Sequence, residues 1–189
     1  MAMPVTVARS WTVEEVLALP EEPGKRFEVV DGELLVSPSP RMVHQLAVTA
    51  LAAELRTYLR GARVGAAIAA PSDVILDPRT LVQPDVYVTP FVNGRLPRDN
   101  DPTPMPLLVI EVLSPSTARH DRFVKRPRYQ RERVECWLVD LDSQMIERWT
   151  PDADRPELLT EVATWHPHGV PEPFRLELPA FFLEVLGEG

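Results

Sequence analysis

The sequence predicts an α/β (α+β) fold in which one central mixed β-sheet is flanked by helices and preceded by an N-terminal helix and β-hairpin. Three observations predict it. Residues 107–113 form an apolar run of strand length, followed by a helical stretch and then a second apolar strand at 136–140. Such a strand-helix-strand step implies a parallel pair joined by a right-handed crossover. Alternating segments joined by short turns imply antiparallel pairs around it, so the sheet is mixed. Finally, Leu46, Val48, Leu51, Leu55 and Leu59 give a helix one buried stripe with which to cover that sheet.

Taken in order, Thr12-Val13-Glu14-Glu15 is a capping box ahead of a short helix that ends by Pro20. Residues 26–36 read as a hairpin, because Asp31-Gly32 supplies the positive φ angles of a two-residue turn. In that hairpin Phe27, Val29, Leu34 and Val36 look core-facing, which makes Glu28 read as its exposed half. A helix over about 43–60 is stopped by Gly61. Residues 64–70 and 73–76 are two short strands or one bent one, and the segment opened by Pro84-Asp85 is a further strand with Asp85, Tyr87 and Thr89 on one face. Residues 90–106 lack periodicity and are proline-rich, the mark of a long loop. Ser116 or Thr117 caps a helix to about Arg133, which Pro127 must kink or shorten. A hairpin over 136–150 turns at Leu141-Asp142-Ser143-Gln144, and Phe181, Phe182, Val185 and Leu186 suggest a short closing helix.

At 189 residues the chain is expected to be one domain over 1–189. It divides into an N-terminal helix and hairpin (10–37), a core (about 42–150) and a C-terminal extension (151–189). No apolar stretch approaches the ~20 residues that span a bilayer, so a soluble, cytoplasmic protein without membrane contact is expected. Cys136 is the only cysteine, which excludes an intrachain disulfide and a thiolate zinc cluster. A net charge of −8 argues against coating long nucleic acid by charge alone. The stretch Arg119 to Arg133 nevertheless carries six arginines, Lys125 and His120 against Asp121 and Glu132, either a basic patch or a solvated helix face.

The chemistry centres on Glu111, a single carboxylate inside the apolar run. Burying a lone charge is costly unless it is paired or bound to a metal. If its strand neighbours that of Asp85, the two carboxylates can converge on one hard cation, since Mg²⁺ is held by one or two carboxylates and completes its shell with water and phosphate. That arrangement suits phosphodiester cleavage. The alternatives are a turn residue for Asp85 and an arginine-paired acid for Glu111.

Pro84-Asp85, the segment Glu111-Val112-Leu113-Ser114-Pro115-Ser116-Thr117, then Asp121, Lys125, Tyr129 and Glu135-Cys136-Trp137-Leu138-Val139-Asp140 resemble the Uma-two family of restriction-endonuclease-like proteins. That family is similar to the PD-(D/E)XK nuclease superfamily, and the resemblance runs from Thr12 to the closing helix. It implies a restriction-endonuclease-like core, hydrolysis of DNA by an endonuclease, and Mg²⁺ or Mn²⁺ held by Asp85 and Glu111. The superfamily pattern places a lysine two residues after the strand glutamate; Leu113 stands there, and the resemblance moves that lysine to Lys125. Lys125 then stabilises the phosphorane or orients the water, or else forms only an i,i+4 ion pair with Asp121. Glu28, His44, Asp121 and Tyr129 are the implied supporting residues. His44 could equally be a surface histidine, and Asp73 an auxiliary ligand or a turn residue. A catalytically inactive nuclease-fold module that binds nucleic acid or protein is the rival reading, and a structured-RNA or branched-DNA nuclease a second. Cutting both strands suggests a homodimer, with the aromatic-rich residues 174–186 as its interface or as a core cover.

Overall fold

The computed structural model describes residues 9–98 and 101–187. Helix α1 (Val13–Leu17) begins with its capping box closed: the Glu15 N–H donates to the Thr12 hydroxyl at 3.2 Å and the Thr12 N–H to the Glu15 carboxylate at 2.9 Å. Strands β1 (Lys25–Val30) and β2 (Glu33–Pro38) form the hairpin, with φ of 51° at Asp31 and 85° at Gly32, as the two-residue turn demands. Helix α2 (Met42–Ala62) runs through Gly61. It stops one residue after Ala62, where Arg63 turns left-handed (φ 53°) and donates its N–H to the Leu59 carbonyl.

Next come β3 (Gly65–Ala69), β4 (Val74–Asp77), β5 (Thr80–Val82), β6 (Val86–Pro90) and β7 (Leu108–Val112). The helical stretch that follows is three pieces: α3 (Ala118–His120), a π-helical turn (Asp121–Lys125) and α4 (Arg126–Arg131). Then β8 (Glu135–Asp140) and β9 (Met145–Trp149) make the expected hairpin, followed by β10 (Glu157–Leu159), β11 (Val162–Trp165), β12 (Phe174–Glu177) and α5 (Leu178–Leu186).

The central sheet has the order β10-β9-β8-β7-β6-β3 and is mixed, its one parallel pair being β7 with β8. A second sheet, β2-β1-β5-β4, takes in the hairpin, and β11 pairs with β12 alone. The two candidate strands before Asp85 therefore belong to different sheets. One face of the central sheet packs Val86, Val88, Ile110, Val112 and Trp137 against Leu51 and Leu55 of α2 and Phe181 and Phe182 of α5. The opposite face packs Tyr87, Val109 and Leu138 against Tyr129 of α4 and Val30 and Leu35 of the hairpin sheet. Residues of the same parity as Tyr87 and Val109 look into this second layer. Asp85 and Glu111 are among them.

This layering corrects the expectations for Glu28 and Val36 and decides between the two readings of residues 174–186. Both faces of β1 are covered by packed layers: Phe27 and Val29, with Leu34 of β2, pack with α1 on one side, while Glu28, on the other side with Val30, faces the layer of Tyr129 and Leu138 and is 2% exposed. Val36, read as core-facing, is exposed. At the C-terminus, Phe174, Leu178, Phe181, Phe182 and Val185 are all interior, so residues 174–186 close the core and do not offer their aromatic side chains as an interface. Among the described residues no helix is long and apolar enough to cross a membrane.

Candidate active site at the ends of β6 and β7

Strands β6 and β7 are antiparallel neighbours with Val86 opposite Ile110, so the next position outward sets Asp85 opposite Glu111. Asp85 is fixed there by the Val112 N–H, which donates to Oδ2 at 2.9 Å. The same oxygen lies 3.1 Å from Nε2 of His44, from the first turn of α2, and Oδ1 accepts from Arg26 of β1 at 3.3 Å. His44 is buried, which removes the surface-histidine alternative, and its Nδ1 has no partner among the described residues.

Lys125 arrives by a local irregularity that Pro127 explains. Proline has no N–H to close the bond to the residue four before it. The chain answers with a wide turn in which the Arg126 N–H reaches back five residues to the Asp121 carbonyl. The turn carries Asp121 and Lys125 inward together. The Lys125 ammonium sits 2.9 Å from Glu111 Oε1, 3.2 Å from Glu28 Oε1 and 3.2 Å from Asp121 Oδ1, all buried. One turn further, Tyr129 donates its hydroxyl to Glu111 Oε1 at 2.7 Å. Glu28 Oε1 also accepts the Gln83 N–H at 2.8 Å.

The seven residues singled out in the sequence thus come together on one cavity wall or immediately behind it. The cavity measures about 620 Å³; the β2–α2 connection and the hydroxyl-rich Ser114–Thr117 loop form much of its lining. Asp73 is elsewhere, accepting from the Gln83 side chain at 2.7 Å outside this cavity, so the auxiliary-ligand reading is withdrawn. Arg26 is the site residue that sequence reasoning missed. Its one signal was its position two residues before Glu28, on the same face of β1.

Four carboxylates, Glu28, Asp85, Glu111 and Asp121, face two permanent cations, Arg26 and Lys125, which leaves two negative charges uncompensated when all four carboxylates are ionised. The consequences are uneven. Burial pushes the Glu111 carboxyl up to about 8; Lys125 opposes this, and Asp121, Asp85 and Glu28 add to it. Burial also raises Asp121, in spite of Lys125. Asp85 goes the other way: burial would raise it, but the His44 contact, Lys125 and Arg26 outweigh that and hold it below the usual carboxylate range. Burial would lower Lys125, yet Glu111, Glu28 and Asp121 push it well above its ordinary value, and it stays an ammonium. Tyr129, raised by burial and by Glu111, stays a hydroxyl donor.

This donor set fits a divalent cation in a restricted way. Hard oxygens and an excess of two negative charges suit one. Glu111 Oε1 is committed to Lys125 and Tyr129, whereas Oε2 has no protein partner among the described residues and the side chain lines the cavity. The point where Glu28, Glu111 and Asp121 converge is already filled by the Lys125 ammonium. Accordingly, no group of three or more ligating side chains is disposed around a vacant point among the described residues. An ion would be shared by Asp85 and Glu111, not caged by three acids.

The remaining basic stretch is not a free patch. Arg122 pairs with Asp140 and Glu147, Arg128 with Asp31, Asp77 and Glu132, Arg131 with Asp31, and Arg133 with Asp152. Cys136 is buried in the core layer beneath Tyr129, its thiol pushed up by burial.

The chain is similar to known proteins over nearly its whole length. A family model named Uma2 and described as a putative restriction endonuclease matches residues 13–181. Among solved structures, one similar chain is a putative nuclease belonging to DUF820 from Anabaena variabilis ATCC 29413. It is 22% identical with a TM-score of 0.73, and the match covers 93% of this chain and 99% of that one. No curated protein matches the sequence.

Proposed function

The chain belongs to the Uma2 family, whose description is of restriction endonucleases, and on that premise we propose that it is an endonuclease hydrolysing DNA phosphodiester bonds with Mg²⁺ or Mn²⁺. The observation that carries this reading is the facing pair Asp85 and Glu111 with the Lys125 ammonium 2.9 Å from Glu111. Asp85 and Glu111 would hold the ion. When bound, such an ion lowers the pKa of a water ligand and polarises a phosphoryl oxygen.

The protein's own groups do the rest. Lys125 is locked in its protonated form with its three N–H donors turned to Glu28, Glu111 and Asp121, so it serves as a fixed positive charge toward the developing phosphorane, not as a base. Asp121 and Glu28 hold that ammonium in place, and Tyr129 turns Glu111 so that Oε1 faces inward. Arg26 and His44 set the Asp85 carboxylate, and the Val112 N–H ties it to the sheet. Leu113, at the superfamily's usual lysine position, leaves a gap in that pattern which Lys125 fills from the helix side. Because one chain offers one such site, cutting two strands calls for a homodimer. Light scattering at micromolar concentration should return twice the chain mass, and a monomer would remove that part of the proposal.

Supercoiled-plasmid cleavage by wild type, Asp85→Asn and Glu111→Gln in Mg²⁺, Mn²⁺ or EDTA tests the function. Nicking should require metal and fall by about 10²–10³-fold in each variant. The ammonium filling the carboxylate focus favours one second reading, an inactive nuclease-fold module that binds nucleic acid or protein. DNA binding that is indifferent to EDTA, with no nicking under any condition, would select it.

A further inference from the structure

The arginines clustered in the sequence are mostly consumed in ion pairs, while others, scattered along it, are gathered and left free. Arg56 and Arg60 lie one turn apart on the last turns of α2, and Arg63 follows in its left-handed cap. All three are exposed, and none forms an ion pair among the described residues. Together with Arg95 they rim a groove of about 680 Å³ beside β3, the edge strand of the central sheet, whose floor and walls are largely apolar, with Leu59, Ile68, Phe91 and Leu96 the large side chains. Among the described residues only Arg95 of these has an acidic partner, Asp101 at 2.6 Å. No carboxylate among the described residues lines the groove, although the chain carries eight more acids than bases.

Like charges one helical turn apart repel, so such a cluster is destabilising until an anion enters. Guanidinium groups suit phosphate in particular, because each can donate two parallel hydrogen bonds to its oxygens. We propose that this groove is a second anion-binding site, which grips the phosphate backbone of the nucleic-acid substrate away from the cleavage centre. Its ligand rests on the nuclease reading; its geometry does not. Helix α2 measures the separation, since His44 in its first turn touches Asp85 and Arg56 and Arg60 lie about 18–24 Å further along the axis at 1.5 Å per residue. That span is about five to seven base pairs at roughly 3.4 Å per phosphate along one strand. The groove would therefore hold the register of a duplex on one side of the cut without reading its sequence.

The test is fluorescence anisotropy with a labelled 20-base-pair duplex in EDTA, over a salt series. The proteins compared are wild type, R56A/R60A/R63A and R56K/R60K/R63K. Loss of three phosphate contacts should weaken binding at least about tenfold near 0.1 M salt and flatten the log–log salt dependence by about 2–3, and the lysine variant should retain that slope. Unchanged affinity and slope in the alanine variant would overturn the proposal, as would equal competition by polyglutamate or no DNA binding by wild type. Because this assay needs neither metal nor cleavage, its failure is separable from that of the nuclease reading. A protein that binds through the groove yet never nicks plasmid keeps the groove and loses the nuclease; nicking with unchanged binding does the reverse.

Discussion

Burial beneath an incomplete set of opposite charges raises the Glu111 carboxyl from 4.5 to about 8, which is on the order of 5 kcal/mol between its two protonation states. The native state therefore binds more protons than the unfolded chain between those values, and metal-free stability falls as pH rises from about 4.5 through about 8. Glu111→Gln keeps an oxygen for the Tyr129 and Lys125 hydrogen bonds but removes the charge. In EDTA at pH 8 it should melt at least about 2 °C above wild type, with a flatter pH dependence; a lower melting temperature would contradict the burial account. Lys125→Met should do the opposite, leaving three buried carboxylates without their cation and costing about 3–5 kcal/mol by urea denaturation at pH 8. The loss should shrink at pH 5, where the raised Glu111 and Asp121 take up protons. Glu111 was legible in the sequence because a carboxylate interrupting a β-rich apolar run has few explanations, whereas Asp85, which opens its strand after a proline, became a candidate only through the expected pairing of the two strands. Glu28 and Arg26 were not, since charged residues alternating with apolar ones in a hairpin look like a solvent face until a second layer is seen to cover it.

The helical stretch after β7 shows where element-level reading stops. Pro127 made a disruption certain, but its form, a π turn that aims Asp121 and Lys125 at Glu111, depends on what those two side chains can pair with inside the fold. Helix α2, the hairpin and the β7–β8 crossover were recoverable because each has a long period or a specific turn. Strands β5 and β10 to β12 were not, being three or four residues long and defined by their partners. The hairpin sheet is tied to α4 by Arg128, which is 4% exposed and reaches Asp77 at 2.5 Å as well as Asp31 and Glu132. Arg128→Ala should cost about 1–3 kcal/mol, less than a fully buried pair, because its partners are partly hydrated. Equilibrium denaturation checks this, and a change within about 0.5 kcal/mol would mean that the lattice is ornamental to the docking.

At the scale of the whole molecule, the cavity lies where the hairpin sheet and the helices after β7 close over one face of the central sheet, and its wall gathers titratable groups from β1, the first turn of α2, the residue before β6, β7 and the π turn. Order along the chain was enough to give a mixed sheet with a parallel step; it could not divide the strands among three sheets, because β4 and β5 join the hairpin only through long-range pairing. With all four carboxylates ionised the cleft holds two more negative charges than positive ones, and the proposed divalent ion on Asp85 and Glu111 would balance them as it displaces the Glu111 proton. Calorimetric titration of Mn²⁺ at pH 7, in buffers of different ionisation enthalpy, decides whether that ion binds there. Wild type should bind one ion per chain and release about one proton as Glu111 gives up its hydrogen, and neither Asp85→Asn nor Glu111→Gln should bind. Binding that survives in both variants, or no binding by wild type, would contradict it.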